Sequence, residues 1–145
     1  METNIEYVSN VNSYPGNVPQ YIVVHNTDNY SPTADAKRHA MAQHDGNFKG
    51  YSAHEFVDDH SDYQAMPYDR GAYHVGVNYG GKLFGICNNR NSIGVEICVN
   101  EGCNYEKAFQ NGVQVVKDLM RRFNIPADRV VSHYDVCGKN CPSEI

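Results

Sequence analysis

The chain has 145 residues, with 12 Lys and Arg against 17 Asp and Glu for a net charge of −5, and 41% of its residues are hydrophobic. That is the size of one domain, which buries roughly two-thirds of the surface its unfolded chain exposes and so does not need cross-links to fold. The negative balance argues against nucleic acid or an anionic membrane as partner, because both reward clustered Lys and Arg. Small molecules, carbohydrate, peptide or protein remain. Five cysteines cannot form a closed disulfide framework, so at least one thiol is free or ligates something.

The first twenty residues lack both a basic start and a continuous apolar stretch, so no secretory signal is expected and synthesis ends in the cytoplasm. No apolar run is long enough for a membrane-spanning helix. Pro15, Gly16 and Pro19 punctuate a polar leader, residues 1–20, which is expected to lie along the surface of the same domain, with regular structure beginning at Tyr21. Residues 21–27 (YIVVHNT) are short, apolar and β-branched, and predict a buried strand. Ser31 as N-cap and Pro32 at the first helical position predict a helix from Thr33 to about His44, stopped by Asp45-Gly46-Asn47. Residues 52–59 and 64–67 predict paired strands around a polar turn.

Residues 91–100 alternate cleanly, with Ile93, Val95, Ile97 and Val99 on one face and Gly94, Glu96 and Cys98 on the other. A carboxylate therefore stands opposite the aliphatic residues. Between Asn104 and Asn124, Phe109, Val113, Val116, Met120 and Phe123 recur at helical spacing and predict one long amphipathic helix, with Pro126 just beyond. Residues 127–133 return as a short strand, and the tail from Tyr134 reads as a loop. Strands interleaved with helices give an α/β single domain with a central mixed β-sheet flanked by helices.

Three side chains that carry chemistry stand at strand ends or in loops, where functional groups concentrate. His25 lies near the end of the first buried strand, His133 ends the last one, and Cys141 follows in the tail. Two imidazoles and a thiolate make a zinc set of borderline softness, and three protein ligands leave a fourth position open, which is the catalytic pattern. By residue type alone, His25 also fits a hydrogen-bonded core histidine and Cys141 a small buried hydrophobe.

The segments YIVVHNT, SAHEF, GAYHVG, NSIGVEI and SHYDVCGKNCP stand in the order found in the type-2 N-acetylmuramoyl-L-alanine amidases, zinc enzymes related to the peptidoglycan recognition proteins. The chain resembles that family from about Tyr21 to Pro142, most specifically around His25 and from His133 to Cys141, and is similar to catalytic domains of phage and prophage endolysins of Gram-positive hosts. The resemblance implies that His25, His133 and Cys141 bind one Zn²⁺ and that Glu96 and Lys139 complete the catalytic set. It also implies peptidoglycan as partner and hydrolysis of the bond between N-acetylmuramic acid and L-alanine. The physics agrees with those roles, since hydrolysing an amide at neutral pH needs activated water, a polarised carbonyl, a stabilised oxyanion and a proton for the leaving amine.

Departures from the family pattern matter as well. Ala53 occupies the place of a tyrosine that assists the bound water in several members, which strengthens the case for Glu96. Asn26 and Tyr73 stand where other aromatic residues or histidine are common, and with His74 they are expected to contact substrate. Cys137 stands four residues after His133 and competes with Cys141 as ligand, but the family spacing favours Cys141. His39, His44, His54 and His60 read as surface or packing histidines, Cys98 as buried, and Cys87 and Cys103 as loop thiols.

Two other function classes fit the residues. One is a non-catalytic peptidoglycan-binding module, although such relatives usually lack the ligand cysteine. The other is a thiol hydrolase using Cys137 or Cys141 with His133, although neither cysteine precedes a helical pattern. An acidic domain is repelled at long range by anionic Gram-positive walls. Residues 21–145 are therefore expected to be a monomeric catalytic domain of a longer protein with a C-terminal wall-binding module, acting on the wall after release or export.

Overall fold

The computed structural model describes residues 1–76 and 78–142. In chain order the elements are β1 (Thr3–Asn4), β2 (Ser13–Pro15), β3 (Tyr21–Asn26), α1 (Ala36–His44), β4 (Glu55–Val57), β5 (Asp62–Gln64), β6 (Arg70–Ala72), β7 (Ser92–Ile97), α2 (Tyr105–Phe123), β8 (Val130–Ser132) and α3 (His133–Cys137). Six strands form one sheet in the order β1-β5-β4-β7-β3-β8, and β2 pairs with β6 in a separate ribbon. The sheet is mixed: β4 and β5 run antiparallel, while β4, β7, β3 and β8 are parallel to one another. This is the α/β single domain the sequence predicts. No helix among the described residues is long and apolar enough to cross a membrane.

Both faces of the central strands are covered, although β7 is aliphatic only toward α2 and carries Ser92, Gly94 and Glu96 on the other side. On one face Ile22, Ile93, Val95 and Ile97 pack against Ala108, Val115, Val116 and Leu119 of α2. On the other, Ala36 and Ala40 of α1 meet Phe56, Tyr63 and Cys98, and a third cluster joins Val23 to Val75, Cys87, Val136 and Cys137. Cys87 lies in the loop between β6 and β7, as expected, but its side chain is buried in this cluster.

The polar leader contains regular structure before Tyr21: β1 extends the main sheet beside β5, and β2 covers β6. Strands of two or three largely polar residues at an edge have no hydrophobic periodicity to betray them. Helix α1 starts later than Thr33. Asp35 caps it by accepting from Arg38 N–H at 2.9 Å, and Asp58 accepts from Ala36 N–H at 2.9 Å. Two carboxylates outcompete the Ser31 hydroxyl for the free N–H groups; that hydroxyl instead pairs with Thr33 Oγ1 at 3.2 Å, while the Ser31 carbonyl accepts from Ala34 N–H in the preceding turn. The expected strand over residues 64–67 lies earlier, at Asp62–Gln64.

The buried line of α2 also differs in phase from the expected stripe. Ala108, Gly112, Val115, Val116 and Leu119 face the sheet, whereas Phe109 is 42% exposed. A Cβ at Gly112 would stand 2.8 Å from Ile97 Cδ1, so the helix docks along its smallest residues and the larger ones flank the contact. Finally, His133 does not end a strand. It opens α3, where Ser132 and Asp135 form a reciprocal capping box.

Candidate active site

The register of three parallel strands assembles the site. His25 on β3 stands directly opposite Glu96 on β7, and Val24 stands opposite Ser132 on β8, so His133 emerges beside His25. His25 and Glu96 lie near the ends of two neighbouring parallel strands on the face away from α2, and His133 directly follows the end of the third. This is the crevice at the carboxyl ends of strands where α/β sheets commonly bind ligands. The tail after α3 returns Cys141 to the same point, its carbonyl accepting from Tyr134 N–H at 3.0 Å. A cleft of about 390 Å³ opens above, and Asn26, Tyr73, His74, Glu96 and Lys139 all line it.

His25, His133 and Cys141 converge with their ligand atoms all within 4.8 Å of one another. His25 Nδ1 lies 3.1 Å from His133 Nδ1 and 3.7 Å from Cys141 Sγ. Two nitrogens on a shared tetrahedral zinc sit about 3.3 Å apart, and a nitrogen and a thiolate sulfur about 3.6 Å apart, from ordinary Zn–N and Zn–S lengths. The donor set thus fits a tetrahedral ion in both spacing and softness. Cys137 takes no part: it is buried in the Val23 cluster with Cys87.

The electrostatics suit cation binding. Burial holds His25 well below its ordinary value, with His74, His133 and Lys139 adding to the effect, and burial and Lys139 take His133 down to about 4. Both imidazoles are neutral at pH 7, the form that ligates a metal. Burial pushes the Cys141 thiol up to about 12, so its proton leaves only when a cation replaces it. Glu96, whose Oε2 is 3.9 Å from His25 Nδ1, is raised by burial to about 8 while Lys139 pulls it back. A carboxyl poised near neutrality can both accept and return a proton.

The other expected site residues sit at the walls. Lys139 is exposed at the rim, Asn26 is buried at the end of β3, and Tyr73 is exposed with its ring 5.1 Å from that of Tyr14. Both nitrogens of His74 are already engaged, Nδ1 with His25 Nε2 at 2.9 Å and Nε2 with Ser92 Oγ at 3.0 Å, which leaves no free nitrogen for substrate. His39 and His54 are packing histidines, while His44 and His60 are at the surface. Ser92 and the Phe48–Tyr51 pair, stacked at 4.9 Å on the cleft wall, escape sequence reasoning. Ser92 carried a usable signal: the alternation that puts Glu96 on this face also puts Ser92 there.

The profile of the N-acetylmuramoyl-L-alanine amidase family matches residues 15–144. The chain belongs to this family. Among curated amidases, CwlH of Bacillus subtilis (strain 168) is 42% identical over 127 residues, covering 88% of this chain and 48% of CwlH. XlyA of the same organism is 38% identical over 136 residues, covering 92% of this chain and 43% of XlyA. The chain thus spans about half the length of the curated amidases it matches. The solved catalytic domain of XlyA superposes with a TM-score of 0.84 at 34% identity, covering 99% of this chain and 92% of that domain. The structure of PlyL gives a TM-score of 0.82 at 33% identity, with 99% and 88% covered. The amidase-family fold therefore extends over the whole described chain, the two leader strands included.

Proposed function

We propose that this domain hydrolyses the amide between N-acetylmuramic acid and L-alanine in peptidoglycan, with one Zn²⁺ held by His25 Nδ1, His133 Nδ1 and Cys141 Sγ. The observation that carries the reading is the convergence of those three atoms within 4.8 Å of one another at the cleft, with the largely buried Glu96 carboxylate 3.9 Å from His25 Nδ1. When bound, Zn²⁺ supplies Lewis acidity toward the carbonyl and lowers the pKa of water. Glu96 takes the proton of the attacking water and hands it to the departing amine of L-alanine. Lys139, at the rim opposite, offers its ammonium to the oxyanion that develops on the carbonyl oxygen. Asn26 and Tyr73 hold the sugar and stem peptide, and family membership supports the choice of substrate.

The test combines metal stoichiometry with mass spectrometry of digested peptidoglycan. Stem peptides with a free L-alanine amino terminus and about one zinc per chain are expected. Glu96→Gln should retain the metal and lose at least 10²-fold in kcat, the usual scale for a general acid or base. Absence of both zinc and free stem peptides would sink the proposal.

A further inference from the structure

Tautomers, not only positions, decide whether a histidine can ligate a metal, because the ligating nitrogen must carry a lone pair and the proton must reside on the other. The hydrogen bonds behind His25 fix this choice by donor counting. Ser92 Oγ lies 2.5 Å from the Asn88 carbonyl, which can only accept, so the single hydroxyl proton of Ser92 points there. Ser92 Oγ is then an acceptor toward His74 Nε2 at 3.0 Å, and His74 carries its proton on Nε2. The remaining lone pair, on His74 Nδ1, faces His25 Nε2 at 2.9 Å and accepts its proton. His25 is left with an unprotonated Nδ1, the atom facing His133 and Cys141.

From this chain of donors we infer that Ser92 and His74 are positioning residues that hold His25 in the Nε2–H tautomer and so preset it as a metal ligand. The inference rests on the metal-binding reading above and deepens it. The relay is built into the framework at each end. Asn89 Oδ1 accepts from the backbone N–H groups of His74 and Val75 at 3.1 and 2.9 Å, fixing the loop that carries the ring. Asn17 Oδ1 accepts from Ser92 N–H at 3.2 Å, and its amide donates to the Ser92 carbonyl at 3.0 Å. Ser92 is fully buried and His74 is 7% exposed, so water does not compete for these protons. Gly94 lets the His74 ring lie flat on β7: a Cβ there would stand 2.8 Å from His74 Nδ1. The fourth histidine, His54, stands outside the relay, since it accepts from Gly94 N–H at Nδ1 and donates from Nε2 to the Arg70 carbonyl.

The experiment has two readouts. Long-range ¹H–¹⁵N NMR of metal-free protein at pH 7.5 reports the His25 tautomer directly, and competition with a chromogenic chelator reports zinc affinity. In the unaltered chain His25 is expected to be the Nε2–H form. Ser92→Ala, which keeps the His74 ring but frees its tautomer, and His74→Ala should each give a mixture at His25. Each should also weaken zinc binding by about 10–100-fold, the scale for loss of a partner behind a ligand. His74→Asn, whose amide oxygen can stand in for Nδ1, should recover most of the affinity. An Nδ1–H tautomer at His25 in the unaltered chain, or full zinc affinity in folded His74→Ala, would overturn the inference. If the unaltered chain binds no zinc at all, the proposed function fails, while the tautomer measurement still judges the relay.

Discussion

Gly94→Ala is the most incisive single perturbation of this site, because it adds one methyl group and nothing else. The new Cβ would stand 2.8, 3.0 and 3.2 Å from Nδ1, Cγ and Cε1 of His74. Gly94 is not among the residues with positive φ, so the backbone accepts alanine and the cost is steric. The His74 ring cannot retreat freely, because it is bonded through Nδ1 to His25 and through Nε2 to Ser92. Overpacking of a tight interior costs about 1–3 kcal/mol, and losing one of the two hydrogen bonds adds about 1 kcal/mol. Together these amount to about 2–4 kcal/mol, or a fall of roughly 5–15 °C in Tm for a chain of this size. Urea unfolding of metal-free protein measures the stability loss, and chelator competition measures zinc. Stability within about 0.5 kcal/mol of the parent, the ordinary range for a surface substitution, with unchanged zinc affinity would refute the packing of His74 on β7.

Four further outcomes are expected. Cys141→Ser should abolish stoichiometric zinc binding while Cys137→Ser retains it, which metal analysis of the two purified variants decides. Removing the metal with a chelator should lower Tm, by an amount equivalent to about 4 kcal/mol if free zinc was 1,000-fold above its Kd, and calorimetry with and without chelator checks this. Burial holds His54 at about 4 against an ordinary 6.5, so its contribution is complete above pH 6.5 and is lost as pH falls towards 4; from those values the loss between pH 7.5 and 5 is about 2 kcal/mol, and an NMR titration midpoint near 6 would contradict it. Leu119→Ala should cost about 2–5 kcal/mol in urea unfolding and Phe109→Ala under about 1 kcal/mol, the reverse of what the stripe through Phe109 would give.

The strands and helices that carry strong periodicity were legible: β3, β7 and α2 follow from their apolar patterns. What the sequence concealed was decided by competition between local groups. Asp35 and Asp58 together displaced the Ser31 cap, and no single-residue preference ranks two carboxylates from separate segments against one hydroxyl. The small residues Ala108 and Gly112 set the docking line of α2, although counting large apolar side chains placed it one position over. At the site, residue types at strand ends pointed to His25, His133 and Cys141, and the family resemblance separated Cys141 from Cys137. The partnership of His74 with Ser92 was hidden because it depends on a side-chain contact between a loop and a strand 18 residues apart.

Register explains why so few residues suffice to build this site. His25 and Glu96 are direct partners across β3 and β7, and Ser132 pairs with Val24, so three neighbouring parallel strands bring His25, Glu96 and His133 to one edge, where the proposed mechanism needs two metal ligands and a base. Because side chains alternate, a slip of β7 by one residue would turn Glu96, Gly94 and Ser92 together toward α2 and bring Ile93, Val95 and Ile97 into the cleft. The same slip would turn the aliphatic residues away from the core and drive the Glu96 carboxyl among Val115, Val116 and Leu119 of α2, both strongly unfavourable. The apolar alternation that stabilises the sheet therefore also holds Glu96, Gly94 and Ser92 in line on the opposite face, the arrangement that the proposed proton transfer and tautomer relay require.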